Sequence, residues 1–171
     1  MITQERLKEL LDYDPETGVF TRRQQRGRGL AGMPAGNVSS LGYVYITLDR
    51  HRCLAHRLVW LLVTGSFPKE FVDHINGDTS DNRVENLRGV DNAQNLWNRG
   101  TDSNNTTGVK GVRWHSGHRH WQGRVYARGT CHHVGTFHTL QEAEAAVRAA
   151  RTELHGEYAN HGQTANCKQR N

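Results

Sequence analysis

The chain has 171 residues, 35% of them hydrophobic, and carries a formal charge of +5 with its 11 histidines counted neutral. That length allows one medium domain or two small ones, and a mean hydropathy of −0.78 leaves a modest core under a large polar surface. No run approaches the roughly 18 apolar residues needed to cross a bilayer, and "MITQERLKELL" has the pattern of a helix, not of a secretory leader. A soluble protein with no membrane partner is expected. Its three cysteines, Cys53, Cys131 and Cys167, form no Cys-x-x-Cys pair, which argues against a zinc knuckle and for a reducing, cytoplasmic compartment.

In chain order, residues 3–12 read as an amphipathic helix capped by Thr3, with Leu7, Leu10 and Leu11 on one face. "DPETG" at 14–18 is a turn. Residues 19–52 read as β-structure interrupted by the basic, glycine-rich "RRQQRGRGLAGMPAG", and "GYVYITLD" alternates as a half-buried strand does. "LAHRLVWLLVTG" is a short buried helix stopped by Gly65. The polar stretch "FVDHINGDTSDNRVENLRGVDNAQNLWN" reads as strand, loop, second short strand and helix. "NRGTDSNNTTG" at 98–108 has no apolar residue and reads as a linker. Three short alternating segments then suggest an antiparallel sheet, and "TLQEAEAAVRAARTELHG" is a helix with Thr139 and Glu142 as its capping box. The expected organisation is α+β: a module over 1–100, a linker over 101–107, a second module over 108–160 and a tail over 161–171.

Within the polar stretch some residue types suit phosphodiester hydrolysis. Histidine, with an ordinary pKa near 6.5, can deprotonate water at neutral pH. A divalent ion held by one carboxylate and one amide oxygen keeps positions open for water and phosphate. Asp73 and His74 offer a ligand and a base as neighbours at a strand end, where alternation points them to opposite faces. Asn95 on the following helix can face back, and the amide of Asn86 can tie the loop backbone.

At "VDHINGDTSDNRVENLR…NAQN", preceded by "AHRLVW" and "YDPETGVF…GYVYI", the chain resembles the HNH endonucleases of the homing type, with their ββα-metal fold. Asn86 and Asn95 stand 12 and 21 residues after His74, as in that family's pattern, and the resemblance covers roughly residues 8–100. It implies His74 as general base, Asp73 and Asn95 as metal ligands, and Asn86 as the loop-fixing residue. Asn95 stands where the HNH signature often has a third histidine, which favours an oxygen-ligated Mg²⁺ or Mn²⁺ over zinc. His56 and Arg57 could serve helix packing or touch a phosphate.

Residues 108–140 hold five Lys or Arg, six His and no acid. Alternation turns Val112, Trp121, Val125, Val134 and Phe137 toward the alanine-rich helix, and Arg113, Arg124, Tyr126 and His133 outward. A basic, aromatic face of this kind suits the groove and phosphates of duplex DNA. Through "TGVKGVRW", "WQGRV", "VGTF", "EAEAAVRAA" and "HGEYAN" the segment 105–160 resembles the AP2 DNA-binding domain. That implies DNA contacts at Arg113 and Arg124; His133 stands where plant members usually carry Trp.

Together these features lead us to expect a site-specific, metal-dependent DNA endonuclease of a prokaryotic or phage-infected cell. Its partner is double-stranded DNA, it has no small-molecule substrate, and it works as a monomer or homodimer. The rivals are a non-cleaving AP2-type regulator on a decayed HNH scaffold and a zinc module built on His115, His118 and His120. The latter lacks a cysteine or carboxylate to complete a tetrahedral set.

Overall fold

A computed structural model describes residues 2–25 and 29–162. Residues 26–28 of the basic loop, Cys167 and most of the expected tail lie outside that range. The fold is a mixture of helices and small antiparallel sheets, in two compact units that divide between Val90 and Asp91.

In the first unit, α1 (Gln4–Leu10) is capped by the Thr3 hydroxyl, which accepts from the Arg6 amide. The helix ends at Leu10, earlier than its apolar spacing predicts. Leu11 is already extended (φ −134°, ψ 144°) and begins β1 (Leu11–Asp14), which pairs with β2 (Val19–Arg22). The ladder takes up backbone groups that a further helical turn would have used. Leu11 is buried all the same, beside Leu7, Phe20, Ile46, Leu48 and Leu58.

A second sheet runs β3 (Asn37–Val38), β4 (Val44–Leu48), β5 (His51–Leu54). The alternation expected over "YVYITLD" is present, with Ile46 and Leu48 buried on either side of exposed Thr47. Helix α2 (Ala55–Thr64) stops at Gly65, which adopts the left-handed conformation at φ 77°. The unit closes with β6 (Phe71–His74), a 3-10 turn at Val84–Asn86 and β7 (Leu87–Val90), antiparallel to β6.

The "DPETG" turn has a specific use. Gly18 lies at φ 72°, and a Cβ there would stand 2.5 Å from the Arg83 amide nitrogen and 2.6 Å from the Asn82 carbonyl carbon. Beside it, the Tyr13 hydroxyl donates to the Asn82 carbonyl (3.0 Å) and accepts from the Val84 amide (3.1 Å). The β1–β2 hairpin therefore seats directly on the loop between β6 and β7. Gly18→Ala combines an unfavourable φ with a backbone clash and should cost more than about 1–2 kcal/mol. Urea denaturation checks this; an unchanged midpoint would show that the hairpin does not press on the loop.

In the second unit, α3 (Asn92–Trp97) carries an Asp91–Gln94 capping box. The element order over 71–98 is the one read from the sequence, but α3 belongs by its contacts to this unit. Trp97 stacks on His155 with ring centroids 4.7 Å apart and planes at 5°. The Lys110 ammonium donates to the carbonyls of Trp97, Arg99 and Asn160.

The polar segment after α3 is also held. The Asn105 side chain accepts from the Thr107 and Gly108 amides, and the Thr107 hydroxyl donates to the Val112 carbonyl. The side chains that make this segment polar thus close its turns.

Beyond it, β8 (Val112–His115), β9 (His120–Ala127) and β10 (Thr130–Phe137) form an antiparallel sheet in the order β10-β9-β8. Helix α4 (Leu140–His155), with the Thr139–Glu142 capping box, packs on it. Val112, Val125, Ala143 and Val147 are the buried centre, with Trp121, Val134 and Phe137 against them. Gly123 permits the close approach, since a Cβ there would meet a Val147 methyl at 2.6 Å.

Candidate functional site

Four of the sequence-selected residues bear on the β6–β7 hairpin or the helix after it. His74 ends β6 and is 4% exposed. Its ring lies edge-on to His56 of α2, centroids 4.9 Å apart and planes at 81°, and the Tyr43 ring is 6.2 Å away. Its Nε2 is 3.2 Å from Oδ1 of Asn82.

That contact fixes the tautomer. The Asn82 amide nitrogen donates to the Ser80 carbonyl at 3.0 Å, so the oxygen is the end that faces the ring. An oxygen can only accept, so Nε2 carries the hydrogen and Nδ1 the lone pair. Asn82 is itself 3% exposed, and its backbone is the one held by Tyr13 and crowded by Gly18. No spacing rule in the sequence marks Asn82, because its importance comes from a hairpin about 70 residues away.

Burial lowers the His74 pKa below the ordinary histidine value, opposed by the Asn82 hydrogen bond and the Asp73 charge. His56 is pushed down further, to about 3, by burial first and then by the charges of His74 and Arg57. Burial thus favours the neutral form of both rings. Arg57 is half-buried on α2, where its nearest electrostatic effects are on Cys53 and His56.

Asp73 lies opposite Arg88 across the β6–β7 ladder. Its Oδ2 accepts from Arg88 Nε at 3.2 Å and Nη2 at 3.1 Å. The two side chains are only 11% and 15% exposed. Asn86, 6% exposed, accepts from the Asn76 amide (3.0 Å) and donates to the Asp81 carbonyl (2.8 Å). One side chain thus holds the loop at both ends. Within the loop Asp81 is paired with Arg83, which depresses its pKa to about 2. Asn95 lies on α3, in the second unit.

In the second unit, strand parity places Arg113, Arg124, Tyr126 and His133 on the face away from α4. Tyr126 is 64% exposed. His133 pairs with Arg124 across the β9–β10 ladder. Gln122 shares that face and was not selected from the sequence. Its Oε1 accepts from Arg113 Nε (3.0 Å) and Nη2 (2.9 Å) and from Arg124 Nη2 (3.4 Å), so one amide oxygen splints both guanidinium groups. The two-residue period that selected Arg124 also reaches Gln122. His115, His118 and His120 cluster at the end of the same sheet, with ring centroids 4.7–5.7 Å apart. Among the described residues, however, no group of three or more His, Cys, Asp or Glu is arranged to hold a metal ion.

Residues 53–96 match the HNH endonuclease family, a span that includes Asp73, His74, Asn86 and Asn95. The chain is 36% identical over 105 residues to "Protein 3.8" of Escherichia phage T7, an alignment covering 61% of this chain and 86% of the phage protein. It is 30% identical over 116 residues to an "Uncharacterized HNH endonuclease" of Acanthamoeba polyphaga mimivirus, covering 67% of this chain and 59% of the viral one. No solved structure matches. Among the described residues no helix is long and apolar enough to cross a membrane. Given how much of the phage T7 protein it matches, the chain belongs to the family of that protein, and residues 53–96 are an HNH endonuclease domain.

Proposed function

We propose that the chain is a metal-dependent, site-specific DNA endonuclease of the homing type, with a nuclease module and an AP2-like module that grips duplex DNA. The observation that carries this reading is the buried His74 ring at the end of β6, held at Nε2 by the Asn82 side chain. In the proposed reaction His74 Nδ1 takes the proton of a water that attacks the scissile phosphorus, and the 3′-oxygen departs. Asn86 ties the β6–β7 loop through Asn76 and Asp81, and Tyr13 holds the Asn82 backbone.

The residues suit a hard divalent ion. Asp73 is a largely buried carboxylate, and Mg²⁺ or Mn²⁺ is commonly held by one or two carboxylates plus water and phosphate. Asp73 would hold it; Asn95 as amide ligand rests on the spacing of the resemblance. Such an ion supplies charge to stabilise the phosphate oxygens and the leaving oxygen.

Supercoiled plasmid incubated with Mg²⁺ or Mn²⁺ tests the activity, relaxed circles reporting a nick and linear product a double-strand break. If the intact protein gave neither, even on DNA from its own source, but still bound duplex, the non-cleaving regulator would take this reading's place.

Arg113, Arg124, Tyr126 and His133 are the proposed DNA contacts, with Gln122 setting the two arginines. Arg113→Ala and Arg124→Ala should each weaken duplex binding and reduce the slope of log K against log salt by about one. Gln122→Ala leaves both charges in place, so affinity falls while the salt slope holds. Fluorescence anisotropy at several salt concentrations separates the two effects, and an unchanged slope in the arginine variants would remove this face from the interface.

A further inference from the structure

The Asp73–Arg88 pair raises a question that the proposed nuclease reading leaves open. Both partners are nearly buried, stand directly opposite each other on paired strands, and meet through two N–H donors on one carboxylate oxygen. A guanidinium in that position is well placed to neutralise the charge of a nearly buried carboxylate. The same carboxylate is the proposed ligand of a divalent cation. A guanidinium and a divalent ion on one carboxylate in a poorly solvated site would repel strongly.

We propose that Arg88 is the exchangeable counter-ion of Asp73: it occupies the carboxylate in the metal-free protein and is displaced from it when a divalent ion binds. The inference rests on the reading of Asp73 as a metal ligand and adds that Arg88 competes for it. Pairing with Arg88 thus sets how tightly the free protein holds metal, and it keeps the hairpin stable before any ion arrives. Arg88 is a positioning residue here, acting through Asp73.

The test is Mn²⁺ binding to the full chain without DNA, followed by the electron paramagnetic resonance signal of free Mn²⁺. The variants are Arg88→Met, Arg88→Lys and Asp73→Asn. Arg88→Met removes the competitor and should bind Mn²⁺ about tenfold or more tightly than the unaltered protein. Arg88→Lys, which keeps the charge but loses the fork, should fall between them. Asp73→Asn should lose the binding.

Thermal unfolding gives a second readout. Arg88→Met should melt lower than the unaltered protein without metal and gain more from added Mn²⁺. If it does not fold without metal, Arg88→Lys carries the comparison. Unchanged affinity in both Arg88 variants, with Asp73→Asn still losing it, would overturn the inference and leave a fixed cross-strand pair. Undiminished binding in Asp73→Asn would instead overturn the reading of Asp73 as ligand.

Discussion

With His74 replaced by alanine, single-turnover cleavage of plasmid DNA is expected to fall by about 10²–10⁴-fold, the usual contribution of a positioned general base. Duplex binding, measured beside it, should be unchanged, because the ring is 4% exposed and offers little surface to DNA. Asn82→Leu should produce a smaller loss of the same kind. It keeps the ring but removes the oxygen that holds Nε2–H, so the lone pair of Nδ1 is no longer fixed in direction. The pH dependence follows from the same geometry. Burial disfavours the imidazolium, so the base stays neutral below the ordinary histidine pKa. Cleavage should therefore persist as pH falls through about 6.5 and fail only at lower pH. A rate that His74→Ala leaves intact would sink the assignment.

A second large effect concerns acid stability. His56 is 5% exposed, and its Nδ1 has no hydrogen-bond partner. Its pKa is pushed down to about 3, burial being the main cause. In the unfolded chain the same ring titrates near 6.5. Stability from the neutral ring is fully present above about 6.5 and is lost as pH falls toward 3, because only the unfolded chain takes up the proton there. The slope is up to about 1.4 kcal/mol per pH unit for one such group, and His74 adds to it in the same direction. Urea midpoints should fall steeply between about pH 6.5 and pH 4, and His56→Leu should flatten that fall. The Asp81–Arg83 pair cannot mimic the effect. Its carboxylate, at about 2 in the fold, loses its contribution mainly as pH falls from the ordinary Asp value toward 2, below most of that window. An equally steep fall in His56→Leu would assign acid sensitivity elsewhere.

What the sequence made legible was mostly local. Capping boxes, the Gly65 stop and the strand alternation were readable because each depends on residues a few positions apart. Asp73, His74, Asn86 and Asn95 stood out because their spacing repeats a known pattern within the segment that the HNH family covers. The partners of these residues were not readable. Arg88 faces Asp73 only through the β6–β7 register, His56 meets His74 only once α2 is packed, and Asn82 is set by Tyr13 from the far end of the unit. The end of α1 was misplaced for a similar reason, since its apolar period runs on into a strand that pairs elsewhere. Sequence period shows which face a residue takes; it does not show what stands on the other side.

The Trp97–His155 stack and the carbonyls gathered by Lys110 bear on how this chain can be cut into pieces. The family match runs through Leu96, and composition invites a boundary just beyond it. A fragment ended there would keep α3 yet discard the ring it stacks on and the ammonium that donates to its last carbonyl. Only six residues long, that helix is far too short to persist alone. A fragment designed from the motif alone would thus carry Asn95 on a segment held only by its own capping box, and its inactivity would say little about the intact protein.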